Sequence, residues 1–419
     1  MAIGTSIRRK KYFIILIPII YIVIALFLLL FAKTGFITTL PPPDNQISFD
    51  NSSYNQTFRD QVSLKLSLAE NFTNNNLVAK DGFVYLSLST SQSGNVSNET
   101  NSEALSYILY WTAVDRNKEE FDRELLFVET YMQNPQAKYL MWNIGSNREA
   151  VGSGRNVATD ADLRTIKALL VANDYWNNKT YQSEINVLAK SLKNIAVTHS
   201  NLFAPYGGID GSGKIWKTDE VWLSYADFTV FRDLAYTTGE PWRSVYHNMK
   251  NAYLDAQLPS GLYQSDLSPN GDYSSLDGNY SINALWMMVR AAESGDPQLQ
   301  ESAQKALLVY KNSFYKNGEI YTSYTSDGQP ASTTDSPWTY ALVGRTAIAL
   351  GDENFSEDLV RKLLTFQNTD MNSSYYGSFV EGSEKAPEAT QFTQQESIIT
   401  LQSYLDKIGY RSLDGKRTA

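Results

Sequence analysis

The chain has 419 residues, 42% of them hydrophobic and 13% aromatic, with a formal net charge of −9. That length can hold a full-sized core, divided over two or three domains or used whole by an all-helical or barrel fold. The acidic balance argues against nucleic acid as a partner, and the absence of cysteine excludes disulfides and thiolate metal sites. His199 and His247 are the only histidines, and neither has a second histidine at ligand spacing. A His-based metal site and a Ser-His-Asp triad are therefore disfavoured, no cofactor is implied, and acid–base chemistry falls to carboxylates.

The first predicted element follows a basic cluster. Arg8, Arg9, Lys10 and Lys11 precede an apolar run from Tyr12 to Ala32 that contains one proline, Pro18. Such a run spans about 30 Å of hydrocarbon, is longer than the apolar stretch of a cleavable signal, and ends in Leu30-Phe31-Ala32, a poor cleavage site. Basic residues on one flank predict a cytoplasmic N-terminus. The expected organisation is a cytoplasmic tail at 1–11, a single-pass transmembrane anchor at 12–32 and a linker at 33–50 around the stiff "TTLPPPDNQ". One extracytoplasmic domain over 51–410 and a tail at 411–419 follow.

Beyond residue 50 no strand-rich block stands out. Apolar residues recur at i, i+3, i+4 and i+7 over 56–70, 102–115, 118–132, 159–176, 180–196 and 219–237. The pattern continues over 242–256, 279–293, 297–314, 336–350, 355–367 and 392–407. The links alternate between short ones, such as those around Gly239 and Gly295, and long ones at 200–218, 257–278 and 315–335. Twelve helices with such links suggest six helical hairpins closing into an (α/α)6 barrel, in which every second helix is inner and runs in the same direction. The inner helices then begin near Glu103, Asp160, Asp219 or Glu220, Asp277 and Asp335, and five acids meet at one mouth. Helix capping accounts for first-turn acids as well, because the helix dipole favours them, and Thr100-Asn101-Ser102-Glu103 reads as a capping box.

"ATDADLRTIKALLVANDYW", from Ala158 to Trp176, resembles the signature segment of glycoside hydrolase family 8, with Thr165 and Ile166 departing from its usual Ile/Met-Ala pair. "SEALSYILYWTAVDRNKEEFDRELLFVETYMQ" from Ser102 is similar to the two helices that precede that segment in the family, and "YLMWNIG" from Tyr139 to the aromatic stretch between them. "WLSYADFTVFRDLAYTTGEPWRSV" and "PSGLYQSD" resemble later family motifs in the same order. The resemblance implies an inverting endo-hydrolase of β-linked polysaccharide on an (α/α)6 barrel. By motif position Glu103 corresponds to the general acid and Asp160 to an acid that contacts the sugar at the point of cleavage. The family's base lies in a Tyr-Asp-Ala-x-Arg segment, for which this chain has "DYSSLDGNYSINALWMMVRAA" from Asp272. Aligned at Tyr280-Ser281 the base has become serine and the arginine is missing; shifted by four residues, Asp277 takes the role. Asp277 is preferred because it keeps a carboxylate at the start of the predicted inner helix, although Asp277-Gly278 also reads as a simple turn.

Inversion needs a protonated acid and a water-activating carboxylate about 6.5–9.5 Å apart. Glu103 must therefore hold its proton near neutral pH, which calls for burial or for a neighbouring anion such as Asp160. Asp162, about 200° round the helix from Asp160, is expected to cap a backbone amide or orient a neighbour. Trp142 and Tyr225 are the preferred sugar platforms, with Trp111 and Tyr280 as further candidates; each is also a plausible core residue. Two other readings stay open. One is a carbohydrate-binding protein that kept the groove and lost catalysis. The other, a polysaccharide lyase, fits poorly with acids where it needs cations. The expected partners are a polysaccharide and the membrane, with a polysaccharide synthase as a conjectured neighbour.

Overall fold

The computed structural model describes residue 40 and residues 56–89, 97–274, 282–383 and 386–407. The chain divides into two compact units, Met1–Pro41 and Pro42–Ala419, and all the described helices and strands lie in the second. The anchor expected at 12–32, and Asp277 and Tyr280, lie outside the described residues. Among the described residues no helix is long and apolar enough to cross a membrane.

Twelve α-helices are described. They are α1 (Gln56–Asn76), α2 (Ser102–Val114), α3 (Lys118–Phe127), α4 (Thr159–Trp176), α5 (Lys179–Ile195) and α6 (Phe228–Thr238). Then come α7 (Trp242–Asp255), α8 (Ile282–Glu293), α9 (Pro297–Asn317), α10 (Pro337–Leu350), α11 (Glu353–Leu364) and α12 (Gln391–Lys407). The even-numbered helices touch one another in a closed cycle, α2 to α4, α6, α8, α10, α12 and back to α2. Each odd-numbered helix from α3 to α11 lies against the even helix before it, while α1 packs on α12, so the first and last described helices complete the ring. This arrangement is consistent with an (α/α)6 barrel. Burial follows the same division. In α10 every residue from Pro337 to Ile348 is buried, as suits a helix enclosed on all sides, whereas α11 buries one stripe, Phe355, Ser356, Leu359, Val360, Leu363 and Leu364.

Short antiparallel strands feed the inner helices. They are β1 (Ser87–Ser89), β2 (Glu99–Asn101), β3 (Asn143–Gly145), β4 (Val157–Ala158) and β5 (Tyr206–Ile209). The rest are β6 (Ile215–Lys217), β7 (Val221–Trp222), β8 (Asp266–Leu267), β9 (Glu381–Ser383) and β10 (Ala386–Thr390). They pair as β1-β10-β9, β2-β3, β4-β5-β6 and β7-β8, and β2, β4 and β10 each end one residue before an inner helix begins. Strands of two to five residues are too short to show period-two alternation in sequence. One of them accounts for a misplaced helix start: the segment expected to be helical from 219 holds β7 and a 3-10 turn, Leu223–Tyr225, before α6 begins. Asp227 sets that beginning, its Oδ1 accepting from the amides of Thr229 and Val230. At α2 the cap is Asn101, which accepts from Ala104 N at 2.8 Å, rather than the expected Thr100.

The ring is tied internally by charge. Arg345 on α10 bonds Glu293 of α8 at 2.6 Å and Glu396 of α12 at 2.9 Å. Lys167 on α4 reaches Glu293 and Asp227, each at 3.3 Å, and Arg290 on α8 reaches Asp227 at 2.6 Å. Burial alone would drive protons onto these acids. Arg345, Lys167 and Arg290 outweigh it at Glu293, whose carboxyl is held at about 2, and Lys167 and Arg290 hold Asp227 well below its ordinary value. Breaking such a cluster is costly because it strands a buried charge. Arg345→Met is expected to lower unfolding free energy by about 3–5 kcal/mol in a urea titration, and adding Glu396→Gln is expected to return part of the loss.

Candidate active site

The start of α2 is set by a strap. Asn101 of β2 pairs with Asn143 of β3, and Ser102 N donates to Trp142 O at 2.9 Å. This lays the Trp142 ring beside the first turn of α2, where its Nε1 donates to Glu103 Oε1 at 3.1 Å. Ser102 Oγ reaches the other carboxyl oxygen at 3.4 Å. The Glu103 carboxyl therefore takes no part in a capping box. Burial, and then the nearby Asp160 carboxylate, push it up to about 8, so it carries its proton at neutral pH as its expected role requires.

Asp160 sits in the first turn of α4, whose N-cap, Ala158, has no side-chain hydrogen bond to offer. Asp160 is not engaged as a cap either. Its Oδ2 pairs with Arg164 at 3.1 Å, one turn on, and its Oδ1 is buried with no hydrogen-bond partner. Arg164 also donates to Ser106 Oγ at 2.9 Å, and its guanidinium lies 3.9 Å from the centroid of the Tyr107 ring. Asp162 faces away, accepting from Leu140 N at 3.2 Å, and burial raises its carboxyl well above the ordinary range. That is the backbone-orienting role expected of it.

Glu103, Asp160 and Arg164 line a cleft of about 290 Å³ at the mouth of the ring, near the lower limit for small-ligand clefts. Tyr225, from the 3-10 turn, lines it as well, with Ser224, whose buried Oγ has no partner. Burial, then the nearness of Asp160 and Glu103, raise the Tyr225 hydroxyl, which stays a donor. Its ring begins an edge-to-face row through Trp222 at 5.2 Å, Tyr206 at 5.7 Å and Trp216 at 6.3 Å, each measured to the ring before. The floor is aromatic: Tyr107, Trp286 and Phe392 stand 6.1–6.3 Å from one another. A larger groove, about 600 Å³, runs beside α9 and the α10–α11 turn, but Lys311 and Asp352 at its edge are already paired with each other at 2.5 Å.

The site residues expected from sequence thus divide. Glu103, Asp160 and Tyr225 meet in the cleft, and Trp142 stands at its rim against Glu103. Trp111 is a correction: eight residues on from Glu103 along the same helix it lies about 12 Å deeper, only 1% exposed, and belongs to the core. The ring of five acids is also smaller than expected. Asp219 and Glu220 are exposed before β7, with Glu220 accepting from Tyr206 at 3.1 Å, and Asp335 is held by Tyr340 at 2.8 Å and Lys362 at 3.4 Å. Tyr107, Arg164, Trp286, Gln391 and Phe392 were not anticipated. The first two were within reach, since each follows a predicted acid by four residues and so shares its helix face.

A cleft that sets a glutamic acid raised to about 8 beside a second acid suits acid-assisted hydrolysis. Residues 57–336 match the family model for glycosyl hydrolases family 8, and the chain belongs to that family, which makes it an inverting glycoside hydrolase. Solved structures agree on the fold. An α-amylase from Clostridium perfringens superposes with a TM-score of 0.70 at 22% identity, covering 81% of this chain and 98% of its own. A β-1,3-1,4-glucanase from Paenibacillus sp. X4 gives 0.63 at 16%, covering 87% and 96%. A family 8 endoglucanase from Klebsiella pneumoniae gives 0.55 at 15%, covering 80% and 99%. No curated protein matches the chain in sequence.

The raised Glu103 carboxyl has a thermodynamic consequence. A group whose folded value, about 8, exceeds its unfolded one favours the folded state less as pH rises between the two. Glu103→Gln is therefore expected to match the wild type in urea unfolding near pH 4.5 and to become the more stable protein towards pH 8. The gap should open by at most about 1.4 kcal/mol per pH unit.

Proposed function

We propose that the chain cleaves a β-linked polysaccharide internally and with inversion, Glu103 protonating the leaving oxygen while a carboxylate opposite activates water. The observation that carries this reading is Glu103 itself, protonated at neutral pH and set beside Asp160 in the cleft. Asp160, held by Arg164 at Oδ2 in the cleft wall, accepts from a sugar hydroxyl and steadies positive charge developing on the ring. Tyr225 and Trp142 supply the aromatic faces. We assign the base to Asp277 from its position in the sequence, with Tyr280 beside it.

The substrate we favour is an exopolysaccharide or a β-1,4-glucan-like polymer. The apolar run at 12–32 behind four basic residues supports a single-pass anchor with the catalytic domain outside the cell. An anchored hydrolase meets polymer as it emerges from the membrane, beside the synthase that makes it. Protease protection in sealed vesicles tests this topology; a domain shielded on the cytoplasmic side overturns it.

The full chain is to be incubated with β-1,4-glucan, mixed-linkage β-glucan, xylan, chitosan and starch, the last because the Clostridium neighbour is named an α-amylase. Shortened β-linked polymer whose first-formed reducing ends are α by NMR is the expected result. Binding without cleavage of any polymer supports instead a carbohydrate-binding protein, and cleavage of starch alone overturns the β-linkage. Glu103→Gln is expected to lower kcat/KM by about 10²–10⁴-fold, and Asp277→Asn to do likewise. Because Glu103 acts while protonated, the wild-type rate should fall as pH rises past about 8.

A further inference from the structure

Arg164 occupies a position that hydrolysis by a carboxylate pair does not itself require. It is the sole cation among the described residues lining the cleft, and its side chain is 5% exposed. Three contacts from two inner helices fix it: the Asp160 carboxylate at 3.1 Å, Ser106 Oγ at 2.9 Å and the Tyr107 ring face at 3.9 Å. The ring of Trp286 stands 5.6 Å away, with the Arg290 guanidinium on that same ring at 4.9 Å. Asp160 is left with one oxygen pinned and one, buried and unpartnered, free. A carboxylate gripped at one oxygen keeps lone pairs for a further donor, and one bound at neither swings about its χ angles.

We propose that Arg164 is a positioning residue for the reaction, fixing the Asp160 carboxylate in the wall of the cleft through its Oδ2. Arg164 touches neither the bond that breaks nor the attacking water; it acts through Asp160. The Tyr107 face and Ser106 stop the guanidinium from turning to engage both carboxylate oxygens, which the fork of an arginine otherwise does readily. The contact that Asp160 makes is one that strengthens as charge develops on the sugar, so losing its aim lowers kcat and leaves KM nearly unchanged.

This inference rests on the hydrolytic reading above, and a double-mutant cycle separates the two. With the full chain and whichever polymer it cleaves, Arg164→Met is expected to lower kcat about 100-fold, the penalty of a misaimed group, with KM within about threefold. In an Asp160→Asn background the same substitution should cost less than about threefold, because the residue it acts through is already disabled. Arg164→Lys, which keeps the charge and loses the fork, should recover activity to within about tenfold of wild type. Circular dichroism and the urea midpoint check that each variant is folded; if Arg164→Met does not fold, Arg164→Lys with and without Asp160→Asn completes the cycle. Equal losses in the two backgrounds overturn the proposal, as does an Arg164→Met protein as active as the wild type. Undiminished activity in Glu103→Gln overturns the assignment of Glu103 as the general acid instead.

Discussion

The barrel is cross-tied from within by buried charge, beside its hydrophobic core. Lys167, Arg290 and Arg345 meet Asp227, Glu293 and Glu396 inside the ring, and these six residues come from α4, α8, α10 and α12 and from the cap of α6. Charges in such a place are expensive to desolvate and pay off only when every partner is present. Apolar side chains tolerate sliding and rotation of one helix past another; a network with defined partners does not. The inner helices are thereby held in one rotation, and rotation decides which first-turn side chains look into the cleft.

The same network reaches the cleft floor. Trp286 lies with the guanidinium of Arg290 4.9 Å from its centroid and that of Arg345 at 6.0 Å, while its ring helps form the floor beneath Glu103 and Asp160. The two acids then differ in what surrounds them. Asp160 has a cation one turn below it and Glu103 has an indole N–H, burial and an anion for a neighbour. Two carboxyls close together on adjacent helices thus sit in different electrostatic settings, and burial with the neighbouring anion leaves Glu103 the one suited to donate a proton.

Much of this was legible in the sequence, and the reasons are local. Periodicity placed the outer helices because one buried stripe leaves a 3.6-residue signature, and two separate family-like segments singled out Asp160 and, upstream of it, Glu103. What could not be read was anything dependent on which way an acid turns. Asp227 and Asp160 each lie at the start of an inner helix, yet one caps its helix and the other pairs with Arg164 a turn further on, and no pattern in the chain distinguishes them. By sequence Trp142 is a preferred sugar platform and Trp111 a further candidate; depth within the ring sends Trp111 to the core and leaves Trp142 at the rim. The lumen network was invisible for a related reason, since its members lie up to 229 positions apart, from Lys167 to Glu396, and meet only through ring closure.

The pairing of α1 with α12 carries a consequence for biosynthesis. Glu103 and Asp160 are made early, but Arg345 lacks a second carboxylate, and the cleft lacks Gln391 and Phe392, until α12 is complete. A nascent chain therefore cannot assemble a working cleft part-way through synthesis. The last helix acts as a latch, and because its contacts with α1 and α2 span the whole domain, closure is a late, high-contact-order step. For an enzyme that cuts polymer, this arrangement withholds hydrolytic competence until the fold is finished.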